Sequence, residues 1–341
     1  MLQLKKRARW TVLFAALVSL IALAAVACGD DDDNGGSATN TPGSGATATP
    51  TTEPGMDYGS LSGNIDIDGS STVFPIAAAM AEDFASVSPV RVNVALSGTG
   101  GGFEKFCRGE TQISNASRSI RQAEIDACAA NGINDIVEFY VAIDALTVVL
   151  NPRNDFATCL DREQLAALWS GSAQNWSDLD PSWPNQRILT YYPGADSGTF
   201  DYMTEVIRGV NRDNNHRSDG TSSEDDNVLV LGVEGDQYAV GYFGFAYYLE
   251  AGDALKAAEI DGGDGCVAPS YEAAAAGQYK PLSRPLYIYT RQEFLENRPE
   301  VLGFINFYYE NLDEIVPEVG YIAIPDSDKA AQIAKFADLL P

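Results

Sequence analysis

Three short runs of glycine and hydroxyl residues carry the most recognisable chemistry of this chain. They are Gly69–Thr72, Ser97–Gly102 and Asp196–Thr199. Each lies between a strand-like and a helix-like stretch, where a helix N-terminus presents unpaired backbone N–H groups and a partial positive charge. Glycine lets the backbone approach a ligand closely, and serine and threonine add hydroxyl donors. Three such loops in one chain predict a site that surrounds a small tetrahedral anion.

The charge balance restricts what this site can use. The chain has 341 residues, a formal net charge of −26 and 45% hydrophobic residues. Such an acidic chain lacks the clustered lysine and arginine that nucleic-acid binding requires. It also gives an approaching anion no long-range attraction. We therefore expect the anion site to work through local dipoles, hydrogen bonds and one buried arginine.

The elements around the loops indicate an α/β fold. Ile65 and Ile67 alternate with polar residues before the first loop, and helix-spaced apolar residues follow it. The same order recurs around the other two loops, which favours largely parallel sheets. Further predicted strands are Ile188–Tyr192, Val137–Val141, Leu146–Leu150, Tyr242–Tyr247, Leu286–Tyr289 and Tyr321–Ile324. Because the third loop lies almost 100 residues after the second, a shared ligand requires two lobes that meet across a cleft.

The N-terminus has the pattern of an export signal. Four basic residues precede an apolar stretch that ends in small residues before Cys28. This resembles a bacterial lipoprotein signal over residues 1–28, with Cys28 as the lipidated residue. A plain signal peptide and a single membrane anchor are the alternatives. Residues 29–57 are rich in Asp, Gly, Ser, Thr, Ala and Pro, and we expect a disordered tether.

Four further cysteines predict two disulfides. Cys107, Cys128, Cys159 and Cys266 allow three pairings in an exported protein, and the local choice is Cys107–Cys128 with Cys159–Cys266. The chain has no CxxC motif and one histidine, so we expect no metal site. The surroundings of His216 in the sequence are polar, which predicts a solvated loop.

Six segments resemble the phosphate-binding proteins of bacterial Pst-type ABC transporters. In order, they are Asp68–Pro75, Leu96–Phe103, Ile113–Arg118, Ala142–Pro152, Pro193–Phe200 and Gly241–Tyr247. The resemblance implies a two-lobed periplasmic-binding-protein-like fold of type II with the ligand between the lobes. It also implies inorganic phosphate as ligand and ABC permease subunits as partners. We expect no cofactor and no catalysis. We expect an extracytoplasmic monomer that is held at the membrane by its lipid.

The resemblance also implies which residues bind the ligand. Carried over by position, the donors would be Ser71, Thr72, the backbone of Val73, Thr99, Ser197, Gly198 and Thr199. We expect lobe one to comprise residues 58–143 and 285–341, and lobe two residues 144–284.

Two positions depart from the family pattern. Ser117 stands where many members carry an aspartate that accepts the phosphate proton, and Pro193 stands where many carry an arginine. We infer that Arg118 supplies the missing positive charge. A protonated phosphate oxygen needs an acceptor, and sulfate does not. Asp144 is the first candidate for this acceptor and Asp196 the second.

Three alternatives to phosphate uptake stay open. The same loops could serve a receptor for another oxyanion, such as sulfate or molybdate. A phosphate-binding lipoprotein could act in sensing or adhesion. A hydrolase would need Ser197 as nucleophile with a base in reach, and His216 is the chain's only histidine.

Overall fold

The computed structural model describes residues 55–195, 197–210 and 215–341. The proposed signal, Cys28, most of the tether and Asp196 lie outside these ranges. Residues 53–341 form one compact unit. No helix in the described part of the chain is both long and apolar enough to cross a membrane.

The helices and strands alternate over much of the chain. The strands are β1 (Asn64–Gly69), β2 (Arg91–Val94), β3 (Ile113–Ala116), β4 (Ile136–Leu150), β5 (Cys159–Asp161), β6 (Leu189–Pro193), β7 (Thr221–Ser223), β8 (Ala239–Gly244), β9 (Lys256–Ala257), β10 (Glu259–Asp261), β11 (Cys266–Val267) and β12 (Ser283–Arg291). The helices are α1 (Phe74–Val87), α2 (Gly98–Cys107), α3 (Gln122–Ala130), α4 (Arg162–Ser170), α5 (Trp176–Leu179), α6 (Gly198–Val210), α7 (Asp226–Gly235), α8 (Phe245–Ala251), α9 (Tyr271–Ala275), α10 (Gln292–Asn297), α11 (Pro299–Glu318) and α12 (Asp326–Ile333).

A mixed sheet runs through the molecule in the order β2-β1-β3-β12-β4-β8-β6-β7, with β9 beside β4. The outer pairs are parallel, as expected, but β12 is antiparallel to both β3 and β4, and β4 is antiparallel to β8. The prediction of largely parallel sheets was therefore wrong at the centre. The cause is that the chain passes along β4 in one direction and returns along β12 in the other.

Most predicted strands are present with different limits. The two stretches expected around residues 137–141 and 146–150 form one continuous strand, β4. Strand β8 ends at Gly244 and α8 begins at Phe245, so the expected strand Tyr242–Tyr247 was too long. Residues 321–324 form only an isolated bridge between Ile322 and Ile143.

The two largest hydrophobic clusters divide the core along β4. One contains Phe139, Val141 and Ile143 from β4 with α1 and α11. The other contains Leu146, Val148 and Leu150 from β4 with α4 and α6. The expected lobe limits stay a prediction, and this division of the core near residue 145 supports them.

Candidate anion-binding site

The first loop turns sharply because Gly69 ends β1 in the positive-φ region, at 142°. A Cβ there would lie 2.1 Å from the Asn115 carbonyl oxygen, so only glycine fits beside β3. Helix α1 then starts at Phe74 with proline in its first turn. The Thr72 side chain is buried and Ser71 is half-buried at this helix N-terminus.

The second loop packs against the first. A Cβ on Gly102 would lie 2.4 Å from the Gly69 Cα atom, so the glycine run lets α2 approach the end of β1. Thr99 Oγ1 lies 3.1 Å from Ser117 Oγ and accepts the Ser117 N–H at 3.2 Å. The structure thus brings two predicted ligand residues together at the N-terminal turn of α2.

The third loop lies at the start of α6, which packs in the second hydrophobic cluster, and it contacts the first loop. Gly198 begins α6, and a Cβ there would lie 2.9 Å from the Thr72 Cα atom. The Thr199 N–H donates to Ser197 Oγ at 3.2 Å. Ser71 Oγ donates to Asp201 Oδ2 on α6 at 2.9 Å. The helix N-termini of α1 and α6 therefore meet, and this arrangement can bind an oxyanion with hydroxyl and backbone N–H donors.

Arg284 is the functional candidate that sequence reasoning missed. Its Nη2 donates to Thr72 Oγ1 at 2.9 Å, its Nη1 to Glu205 Oε2 at 2.7 Å and its Nε to Asp144 Oδ2 at 3.2 Å. The guanidinium carbon lies 3.7 Å from the centre of the Tyr202 ring. The side chain is 11% exposed. A buried cation is therefore hydrogen-bonded to the Thr72 hydroxyl of the first loop.

Asp144 faces Arg284 because the two residues are direct cross-strand partners on β4 and β12. Burial raises the pKa of the Asp144 carboxyl, and the adjacent guanidinium opposes that rise. The Asp144 carboxyl is buried and forms a salt bridge with Arg284. The expected role of Asp144 as acceptor of the phosphate proton stays a prediction, and the geometry adds the role of holding Arg284.

Arg118 has a different partner from the one expected. Its two terminal nitrogens donate to the Glu124 carboxylate at 2.8 and 2.7 Å, and its guanidinium lies 5.7 Å from the centre of the Phe103 ring. Burial alone would raise the pKa of Glu124, but bonds from Arg118 and from the Arg121 N–H outweigh it and lower the pKa. The role of Arg118 at the ligand stays a prediction.

Both predicted disulfides are confirmed: Cys107 is bonded to Cys128, and Cys159 to Cys266. The first joins the end of α2 to α3. It therefore closes the segment that contains Ser117 and Arg118.

The prediction for His216 was wrong. Its ring lies against Trp169, Tyr192, Phe200 and Tyr242. Its Nδ1 lies 2.8 Å from the Arg217 carbonyl oxygen and must donate, so its Nε2 accepts from the Tyr242 hydroxyl at 2.9 Å. Burial lowers its pKa to about 4.

Ser197, the residue that a hydrolase would use as nucleophile, is not among the hydrogen-bond partners of His216 in the described part of the chain. Both ring nitrogens of His216 are hydrogen-bonded to other groups. Of the aromatic residues in this part of the chain, Tyr242 and Phe243 lie on β8, whereas Phe245, Tyr247 and Tyr248 lie on α8.

The loops and the two cores define a two-lobed binding protein with an oxyanion site between its lobes. The model of the PBP superfamily domain matches residues 39–311, and the chain belongs to that family. A Synechocystis protein named SphX is 44% identical over 77% of this chain and 79% of its own length. The phosphate-binding protein PstS of Staphylococcus saprophyticus is 36% identical over 83% and 88%.

A solved structure agrees with this assignment. A crystal structure described as a possible phosphate binding protein from Planctomyces limnophilus is 46% identical. It covers 83% of this chain and 100% of its own, with a TM-score of 0.78. The similarity confirms the expected two-lobed, type II fold and the resemblance to phosphate-binding proteins.

Proposed function

We propose that this chain binds inorganic phosphate outside the cytoplasm and delivers it to an ABC permease. The observation that carries the proposal is the convergence of three hydroxyl-rich loops. Gly198 of the third loop lies against Thr72 of the first, and Gly102 of the second loop lies against Gly69 of the first. The names of the relatives, including the phosphate-binding protein PstS, support phosphate as the ligand.

Neutral donors surround the ligand in this proposal. Helices α1 and α6 supply backbone N–H groups at Val73 and Gly198, and the loops supply hydroxyl groups. Arg284 adds positive charge through Thr72, whose oxygen accepts one of its N–H groups. Asp144 and Glu205 hold the guanidinium in place. A fixed donor set in a partly buried site stabilises an anion without reorganisation.

The N-terminal part of the proposal concerns attachment to the membrane. Lipid-linked Cys28 would hold the monomer at the cell membrane, at the cell surface or in the periplasm, with residues 29–57 as the tether. Incorporation of a radiolabelled fatty acid into the expressed chain tests the anchor. Cys28→Ala should abolish the label, and labelling that persists in the variant would place the lipid elsewhere.

Titration calorimetry with phosphate, arsenate and sulfate tests the ligand. We expect binding of phosphate and arsenate and much weaker binding of sulfate. Thr99→Ala and Ser197→Ala should each weaken phosphate binding by about 1–3 kcal/mol, the range for a hydrogen bond to a charged group. Ser86→Ala, at the far end of α1, is the matched control and should leave the affinity unchanged. Tight sulfate binding, or neutral effects at both loops, would contradict the proposal.

A further inference from the structure

Two neighbouring hydroxyl groups of the first loop are oriented in opposite senses. Thr72 Oγ1 lies 2.9 Å from Arg284 Nη2, and Ser71 Oγ lies 2.9 Å from Asp201 Oδ2. A guanidinium can only donate and a carboxylate can only accept. Thr72 therefore uses a lone pair toward Arg284, and Ser71 uses its hydrogen toward Asp201.

The two hydroxyls therefore differ in what they can offer to a ligand. Thr72 keeps its hydrogen and can donate to an anionic oxygen. Ser71 has no hydrogen left, so its oxygen, with two free lone pairs, can only accept. On the basis of the proposed phosphate function, we infer that Ser71 Oγ, held by Asp201, is the acceptor that recognises the protonated oxygen of phosphate. The first loop thus presents a donor and an acceptor side by side.

This pair matches a protonated tetrahedral anion. Monohydrogen phosphate offers a P–OH donor as well as anionic oxygens, whereas sulfate offers only acceptors. A sulfate oxygen against the Ser71 lone pair would leave two acceptors facing each other without a hydrogen. Unpaired polar groups of this kind give large discrimination between otherwise similar ligands.

The position of Asp201 allows this role. It lies on α6 one turn after Gly198, which itself contacts Thr72. Asp201 therefore acts on the ligand through Ser71 and is a positioning residue. Its role differs from that of Glu205, one further turn along the same helix, which contacts Arg284.

The test is the ratio of phosphate to sulfate affinity at mildly alkaline pH, measured by calorimetry on the full chain. Asp201→Asn gives Ser71 an amide that can donate, so the Ser71 hydrogen becomes available to sulfate. The ratio should fall by about tenfold to a hundredfold, the effect expected when one polar partner is mismatched. The ratio is the informative quantity, because removing a negative charge improves the binding of both anions.

Two further variants complete the test. Ser71→Ala should also lower the ratio, mainly through weaker phosphate binding. Glu82→Gln removes an exposed carboxylate from α1 and should leave the ratio unchanged. If both Asp201→Asn and Ser71→Ala still bind phosphate with an unaltered ratio of phosphate to sulfate affinity, the inference about Ser71 is wrong and the proposed function still stands. Absence of phosphate binding by the wild-type chain would overturn the proposed function itself.

Discussion

Two arginines near the loops show how differently a positive charge can be held. Arg118 contacts Glu124, six residues further along the chain, and its side chain is 28% exposed. Arg284 contacts Thr72, Asp144 and Glu205, which belong to three separate parts of the chain, and it is 11% exposed. The first pair is local and partly solvated. The second connects the first loop, β4 and α6.

The difference follows from the elements involved. Glu124 is in the first turn of α3, where an acidic residue caps the helix and meets Arg118 locally. Asp144 and Arg284 are brought together only by the antiparallel register of β4 and β12. A cation fixed by several elements is better suited to serve the binding loops, because its position depends on the whole arrangement.

The two arginine regions should differ most in how much the free energy of unfolding falls when the arginine is removed. Arg284→Met leaves Asp144 buried without its partner and should cost about 3–5 kcal/mol. Arg118→Met breaks a partly exposed pair and should cost less than about 1 kcal/mol. Urea unfolding measures both values.

A compensating variant separates lost charge pairing from lost packing. Arg284→Met combined with Asp144→Leu should recover most of the stability, because no buried charge is then left unpaired. Equal losses in the two single variants would show that Arg284 is no more deeply integrated than Arg118.

The sequence predicts what depends on local patterns. The loops between strands and helix N-termini, both disulfides and most of the strands followed from residue types and spacing. The limits of β8 could not be predicted well, because an aromatic run such as Tyr242–Tyr248 suits either a buried strand or a helix.

Arg284 and His216 could not be predicted because their environments form only in the fold. Asp144 and Arg284 are 140 residues apart, and nothing local links them. His216 follows polar residues in the chain, yet Trp169, Tyr192 and Tyr242 come from other elements and enclose it. The only local signal for Arg284 was a basic residue two positions before the predicted strand Leu286–Tyr289.

An acid titration can compare the two arginine regions once the larger effect of His216 is removed. Its pKa falls to about 4 by burial, against an ordinary value of 6.5. The protein is therefore stabilised above about pH 6.5, and this stability is lost as the pH falls toward 4. The loss should be about 3 kcal/mol. Unfolding experiments across this range measure it.

His216→Gln is the matched variant, because its amide oxygen can still accept from the Tyr242 hydroxyl. It should remove the loss between pH 6.5 and 4. Burial and the nearby Asp225 and Glu224 raise the pKa of Asp226 to about 7, which acts in the opposite direction. Since Asp226 is present in both proteins, the difference between them isolates His216. If the variant loses the same free energy of unfolding between pH 6.5 and 4 as the wild-type chain, His216 is solvated after all.

The smallest expected effect is that of Glu124, measured in the His216→Gln background. Its lowered pKa means that the pair with Arg118 stabilises the fold above about pH 4.3 and loses this contribution at lower pH. Glu124→Gln should therefore reduce the acid loss, by less than about 1 kcal/mol because the pair is partly exposed. Asp144→Asn should have the opposite sign, because burial raises the Asp144 pKa and protonation favours the native state. Changes of the same sign in the two variants would mean that the regions around Arg118 and Arg284 do not differ in the way their carboxylates are held.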